Sequence, residues 1–148
     1  MRRSSPTCVD ASLVVRFVSV REDEGVRVWW ERWSQEPTEL VAPMLIRYEV
    51  TNALHRLKQA GEASEGATQE ALRSALVLPI RLYHDENLHG AALDFAARFS
   101  LPAAYDAHYL ALADRLGAEF WTTDRRLANS VRPALPWVRL VGEETAER

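Results

Sequence analysis

Asp10, Glu49, Asp106 and Asp124 are the residues of this 148-residue chain whose type and setting point to chemistry. Thr7-Cys8-Val9 reads as a short buried strand, and Asp10 ends it. Glu39-Leu40-Val41-Ala42 reads as a second strand leading into a helix that carries Glu49 about two turns in. Asp106 falls in the first turn of another helix, and Asp124 follows the apolar strand expected over residues 118–122. Each acid has an ordinary explanation when taken alone. An aspartate at a strand-to-helix junction caps free amides, and a helical glutamate makes an i,i+4 pair or a boundary hydrogen bond. Together they pose a different problem. Four carboxylates in one pocket raise one another's pKa and cannot all stay ionised in a partly dry site without a cation. Oxygen-only donors favour Mg²⁺ or Mn²⁺, and Mg²⁺ keeps several bound waters. Such an ion lowers the pKa of a bound water and offsets charge growing on phosphoryl oxygens, so the expected chemistry is phosphodiester hydrolysis. Asp10, Asp106 and Asp124 are expected in direct or water-mediated coordination, with Glu49 as ligand or as the acceptor that orients the water. Asn52 and Thr122 are expected behind them as donors, and Ser12 as a local cap or a helper.

The elements that must position these acids follow from patterning. Glu22-Asp23-Glu24 ahead of Val26, Trp29, Trp30 and Trp33 predicts an amphipathic helix with acids at its N-terminus, its tryptophans destined for the core or a dimer surface. Pro43, placed at a first helical position, opens a helix over residues 44–60 that Gly61 closes. There Ile46, Val50, Ala53, Leu54 and Leu57 form the buried stripe, and Leu45, Glu49, Asn52 and Arg56 form the ridge beside it, so Glu49 borders the core. A helix over residues 64–78, a strand over 80–83 and a helix capped by Asp85 come next. In that last helix Leu88, Ala91, Ala92, Phe95 and Phe99 are the apolar stripe, which sends Asp94 to the opposite face. Tyr105, Tyr109, Leu112, Ala113 and Leu116 recur at helical spacing, and Gly117 supplies a left-handed stop. Asp114 points away from Asp106. Residues 125–129 make a helical turn, and residues 137–141 a final strand. Strands alternating with helices predict an α/β fold, three layers about a central, mostly parallel sheet, with ligands beyond the carboxyl ends of the strands.

Composition sets bounds. The length suits one domain, expected over residues 7–141, with an extended N-terminal stretch over 1–6 and a flexible tail over 142–148. The net charge of −3 argues against a generic nucleic-acid coat without excluding a nuclease. With four acids committed to an ion, 18 bases face 17 acids, so a local basic rim is available. Lys58 is the only lysine, and that rim is arginine: Arg16, Arg21, Arg47, Arg56, Arg125 and Arg126, of which Arg16, Arg125 and Arg126 are candidates for phosphate contacts. The lone Cys8 makes neither an internal disulfide nor a cysteine-rich zinc site. The four histidines show no metal spacing and are expected at the surface or core boundary. No phosphate-cradling glycine loop, signal-peptide core or apolar run of roughly twenty residues occurs, so a cytoplasmic chain is expected.

With these residues in place, the chain resembles a PIN-domain ribonuclease of the VapC toxin branch. The likeness runs from about Thr7 to Val141 and rests on Val9-Asp10-Ala11-Ser12, on Ala42-Pro43 followed by Tyr48-Glu49-Val50 and Asn52-Ala53-Leu54, on Tyr105-Asp106-Ala107 with Tyr109-Leu110-Ala111-Leu112-Ala113, and on Thr122-Thr123-Asp124-Arg125-Arg126-Leu127. The resemblance implies a PIN-like three-layer α/β/α fold and a Mg²⁺- or Mn²⁺-dependent endoribonuclease. It also implies a homodimer and a cognate antitoxin that covers the active site. The family's acidic site maps onto Asp10, Glu49, Asp106 and Asp124. Where some relatives carry a further acid after the last aspartate, this chain has Arg125, Arg126 and Asn129. The alternative from another class is a catalytically silent PIN domain that binds RNA or protein.

Overall fold

The computed structural model of the chain describes residues 5–19 and 23–142. Strands β1 (Thr7–Val9), β2 (Leu40–Pro43), β3 (Ile80–Tyr83), β4 (Glu119–Thr122) and β5 (Val138–Leu140) form one sheet in the order β3-β2-β1-β4-β5. Every pairing is parallel, so the mostly parallel expectation becomes wholly parallel among the described strands. Parallel neighbours need crossovers, and these are helical: α1 (Ala11–Val18) and α2 (Glu24–Gln35) after β1, α3 (Leu45–Gln59) and α4 (Glu65–Leu76) after β2, α5 (Asn87–Arg98) and α6 (Tyr105–Leu116) after β3, and α7 (Arg125–Val131) after β4.

Register shows how the faces are covered. Cys8 pairs with Val41 and Phe120, so these three share one face. The Tyr109 ring of α6 lies 5.8 Å from Phe120, and the Cys8 thiol donates to the Tyr109 carbonyl at 3.8 Å. Helix α6, backed by α5, therefore covers that side. The next residue of β4, Trp121, turns the other way and meets Trp29 and Trp33 of α2 at centroid distances of 4.3 and 5.5 Å. Helices α1, α3 and α4 pack together in this second layer, with α2 against α1. The tryptophans expected in the core or at a dimer surface are core: Trp29, Trp30 and Trp33 are all buried. With both faces covered, β1 and β2 are buried along their whole length.

Local chemistry sets the ends. The Asp23 side chain accepts from the Val26 amide and starts α2 at Glu24; Arg21 and Glu22 lie outside the described residues. Ser64 caps α4 in the same way. Gly117 adopts φ 62°, the left-handed stop expected after α6. Pro43 departs from expectation, since it ends β2 instead of opening α3. Its register partner is Tyr83, but the amide that reaches the Tyr83 carbonyl belongs to Met44, at 2.9 Å. Alternate residues of a strand face alternate neighbours, so the proline nitrogen turns toward β1, whose pairing with β2 has already ended at Cys8 and Val41. No ladder bond is lost there. The strand order reverses its direction between β1 and β4, which opens a crevice beyond their carboxyl ends.

Candidate active site

Asp10 stands at that crevice, directly after β1. As the N-cap of α1, its Oδ1 accepts from the Leu13 amide at 3.1 Å. The same oxygen accepts from Ser12 Oγ at 2.5 Å, and Oδ2 accepts from the hydroxyl of Thr122, the last residue of β4. The two hydroxyls bind onward. Ser12 Oγ accepts from the Thr123 amide at 3.2 Å, and Thr122 Oγ1 from the Asp124 amide at 2.9 Å. The turns after β1 and β4 are thereby joined at the switch point, and one lone-pair direction of the carboxylate is left over. Asp10 is only 5 % exposed. Burial pushes its pKa up to about 6, against the three donors, and the charge of Asp106 adds to the rise.

The other acids lie around it. Asp106 sits half-buried in the first turn of α6; burial raises its pKa, and so does the charge of Asp124. Glu49, half-buried on α3, accepts from the Tyr109 hydroxyl at 2.7 Å. Its pKa is raised by burial and by Asp106, and lowered by the Tyr109 bond and by His108. Asp124 is exposed and caps α7 through the Leu127 amide at 3.1 Å. Asp106 is thus the common neighbour: its charge acts on Asp10 and Glu49, and the charge of Asp124 acts on it. The donor set is all oxygen and carries excess negative charge, which fits a hard divalent cation. Among the described residues no three His, Cys, Asp or Glu side chains form a closed cation cage, so the acids line an edge without closing around a point.

The remaining expectations divide. Ser12 and Thr122 bond directly to Asp10. Asn52 does not belong with them: it is exposed on α3 and bonded to none of the four carboxylates, because the i+3 step from Glu49 carries it further out on the helix. Arg16 is exposed and pairs with Asp23 at 3.1 Å. Arg125 and Arg126 are exposed in the first turn of α7, immediately after Asp124. Arg47 and Arg56 are exposed on α3, and Asp94 and Asp114 are exposed as expected.

Two neighbours of the site escaped the sequence reading. Tyr109 enters the sequence pattern only through its helical spacing with Leu112, Ala113 and Leu116, although a tyrosine in a core position signals a partner for its hydroxyl. His108 holds its Nδ1 2.8 Å from the Ala104 carbonyl and its Nε2 3.0 Å from Nδ1 of His89. No sequence spacing marks that pair, which is made by the packing of α5 on α6. Tyr48 and Tyr105, each one residue before a site acid, are 72 % and 63 % exposed.

Solved structures share this architecture. A toxin–antitoxin complex from Klebsiella pneumoniae matches with a TM-score of 0.61 and 18 % identity over 90 % of this chain and 95 % of that one. The PAE2754 protein of Pyrobaculum aerophilum matches with a TM-score of 0.64 and 23 % identity over 85 % of this chain and 84 % of that one. Mycobacterium tuberculosis VapC20, described as a toxin that cleaves the sarcin–ricin loop, matches with a TM-score of 0.62 and 16 % identity over 84 % of this chain and 94 % of that one. No curated protein matches the chain significantly. The family model of the PIN domain spans residues 7–131, and it takes in all four carboxylates and the strands and helices that carry them. The chain belongs to the PIN-domain family.

Proposed function

We propose that this chain is a Mg²⁺- or Mn²⁺-dependent endoribonuclease and the toxin of a toxin–antitoxin pair. The observation that carries the reading is the electrostatic coupling of Asp10, Glu49 and Asp124 to Asp106 beside the crevice of a PIN fold. Its support from relatives is that one similar structure is a toxin–antitoxin complex and another a toxin that cleaves RNA.

Asp10, Asp106 and Asp124 would hold the ion, and Glu49 would complete the set, directly or through the bound water. When bound, the ion supplies a water of lowered pKa and positive charge beside the phosphoryl oxygens. Ser12 and Thr122 keep Asp10 oriented from behind. Glu49 accepts the proton of the attacking water as its oxygen bonds to phosphorus, and the leaving oxygen takes a proton from solvent. Arg16, Arg125 and Arg126 contact phosphates flanking the cut, and the exposed Tyr48 and Tyr105 offer faces on which unpaired bases stack. The partners that go with this reading are an RNA substrate, a second copy of the chain and a cognate antitoxin, in the cytoplasm. No helix among the described residues is long and apolar enough to cross a membrane.

A second reading, a silent PIN domain that binds RNA or protein, draws on the open arrangement of the acids. The two separate on incubating the purified chain, freed of partners, with total cellular RNA and Mn²⁺ and mapping the ends. Discrete cuts abolished by EDTA are expected. Intact RNA beside a folded protein that binds Mn²⁺ favours the silent module.

A further inference from the structure

Tyr109 is 1 % exposed, and a hydroxyl buried that deeply needs a partner. The partner is Glu49 Oε1 at 2.7 Å. The tyrosine is itself fixed from two sides. Its ring packs on Phe120 of β4, and its carbonyl accepts the Cys8 thiol of β1, the strand that ends at Asp10. It follows Asp106 by three residues on α6. Helices α3 and α6 belong to opposite layers of the sheet, so this hydrogen bond ties Glu49 on one layer to the helix of Asp106 on the other.

We propose that Tyr109 is a positioning residue of the site, holding Glu49 by Oε1 and leaving Oε2 available to the cation and its water. The inference rests on the cation-dependent nuclease reading. A free glutamate side chain loses rotamer entropy when ordered, and a tyrosine locked by packing removes much of that cost before the ion arrives. Partners standing behind metal ligands are worth roughly 10–100-fold in affinity or rate. A tyrosine that merely filled the core would contribute to stability and leave ion binding unchanged.

The test is calorimetric titration of Mn²⁺ into the full chain, with melting curves of the metal-free proteins alongside. It compares wild type, Tyr109→Phe, Glu49→Asp and the double variant. Phenylalanine keeps the contact with Phe120, and aspartate keeps the charge but is one methylene too short to reach the hydroxyl. Tyr109→Phe is expected to weaken Mn²⁺ binding roughly tenfold or more, Glu49→Asp to do likewise, and the double variant to bind no more weakly than the weaker single one. In RNA cleavage, kcat falls in Tyr109→Phe while KM stays near that of wild type.

Unchanged Mn²⁺ affinity in Tyr109→Phe overturns the proposal. So does a loss equally large in the Glu49→Asp background, because the tyrosine then acts through the fold and not through Glu49. If Tyr109→Phe does not fold, wild-type Mn²⁺ affinity in Glu49→Asp, which has lost the Tyr109 bond, still overturns the proposal. A folded wild-type chain that binds no Mn²⁺ overturns the cation reading and this role with it. Normal wild-type binding with a failed cycle removes only the role of Tyr109.

Discussion

Trp121 and Thr122 are consecutive residues of β4, yet the chain builds opposite surroundings on them. Trp121 is 3 % exposed and closes an aromatic layer with Trp29 and Trp33. Trp30 extends that layer, stacked on Phe17 at 4.5 Å. The indole N–H of Trp121 is buried without a hydrogen-bond partner, so the layer is held by ring packing and apolar area. Thr122 is as deeply buried, but its hydroxyl serves Asp10, whose carboxyl burial pushes up to about 6. One region lowers the free energy of the metal-free fold, and its neighbour raises it. The second region holds charge in place, as the proposed cation site requires.

Breaking the aromatic side should have the largest effect on stability. Trp33→Ala removes a ring in contact with Trp29, Trp30 and Trp121. It should cost roughly 3–5 kcal/mol in denaturant unfolding of the metal-free chain. The carboxylates should keep their local bonds in whatever fraction stays folded.

Changing the acid side should have the opposite sign. The native state holds the Asp10 proton more tightly than the unfolded chain, because the folded pKa is raised from 3.8 to about 6. The resulting stabilisation is complete below about pH 4 and is lost as pH rises through 6, amounting to about 3 kcal/mol. The raised values of Glu49 and Asp106 act in the same direction. Metal-free wild type should therefore melt progressively lower between pH 4 and 7 relative to Asp10→Asn, which has no such proton to lose. At pH 7 Asp10→Asn should be the more stable protein while cleaving no RNA. Parallel melting curves across that range would remove the claim that Asp10 is held at a cost.

The smallest effect is expected at the rim. Arg126 is exposed in the first turn of α7, two residues after its cap. Arg126→Ala should weaken RNA binding by about 0.2–1 kcal/mol regardless of sequence and lower the slope of log affinity against log salt by about 0.7, leaving the melting temperature unchanged. An unchanged slope would mean that RNA does not pass over α7.

Much of this division can be read in the sequence. Short apolar runs ending in Asp10 and Asp124 mark strands whose carboxyl ends face one edge, and the period of α3 places Glu49 at the core boundary. The tryptophan spacing at 29, 30 and 33 marks one buried face. What could not be read is what packing alone decides. Tyr109 and Glu49 are 60 residues apart, and His89 and His108 are 19 apart, so neither pair leaves a local signature. Pro43 looked like a helix start because its use in a strand depends on where β1 stops pairing. Asn52 looked like a supporting donor because ridge membership does not say how far a side chain stands from its neighbour's carboxylate. A cap at Asp10 does not exhaust its carboxylate, whose second oxygen accepts from Thr122 of β4.

The most direct test of the account is Asp106→Asn, since Asp106 is the acid whose charge acts on both Asp10 and Glu49. Purified wild type and variant, matched for melting behaviour, are incubated with the same RNA and Mn²⁺, and the cleaved ends are counted. The account predicts discrete cuts by wild type and a loss on the order of 1000-fold in the variant. Full cleavage by a folded Asp106→Asn would contradict it.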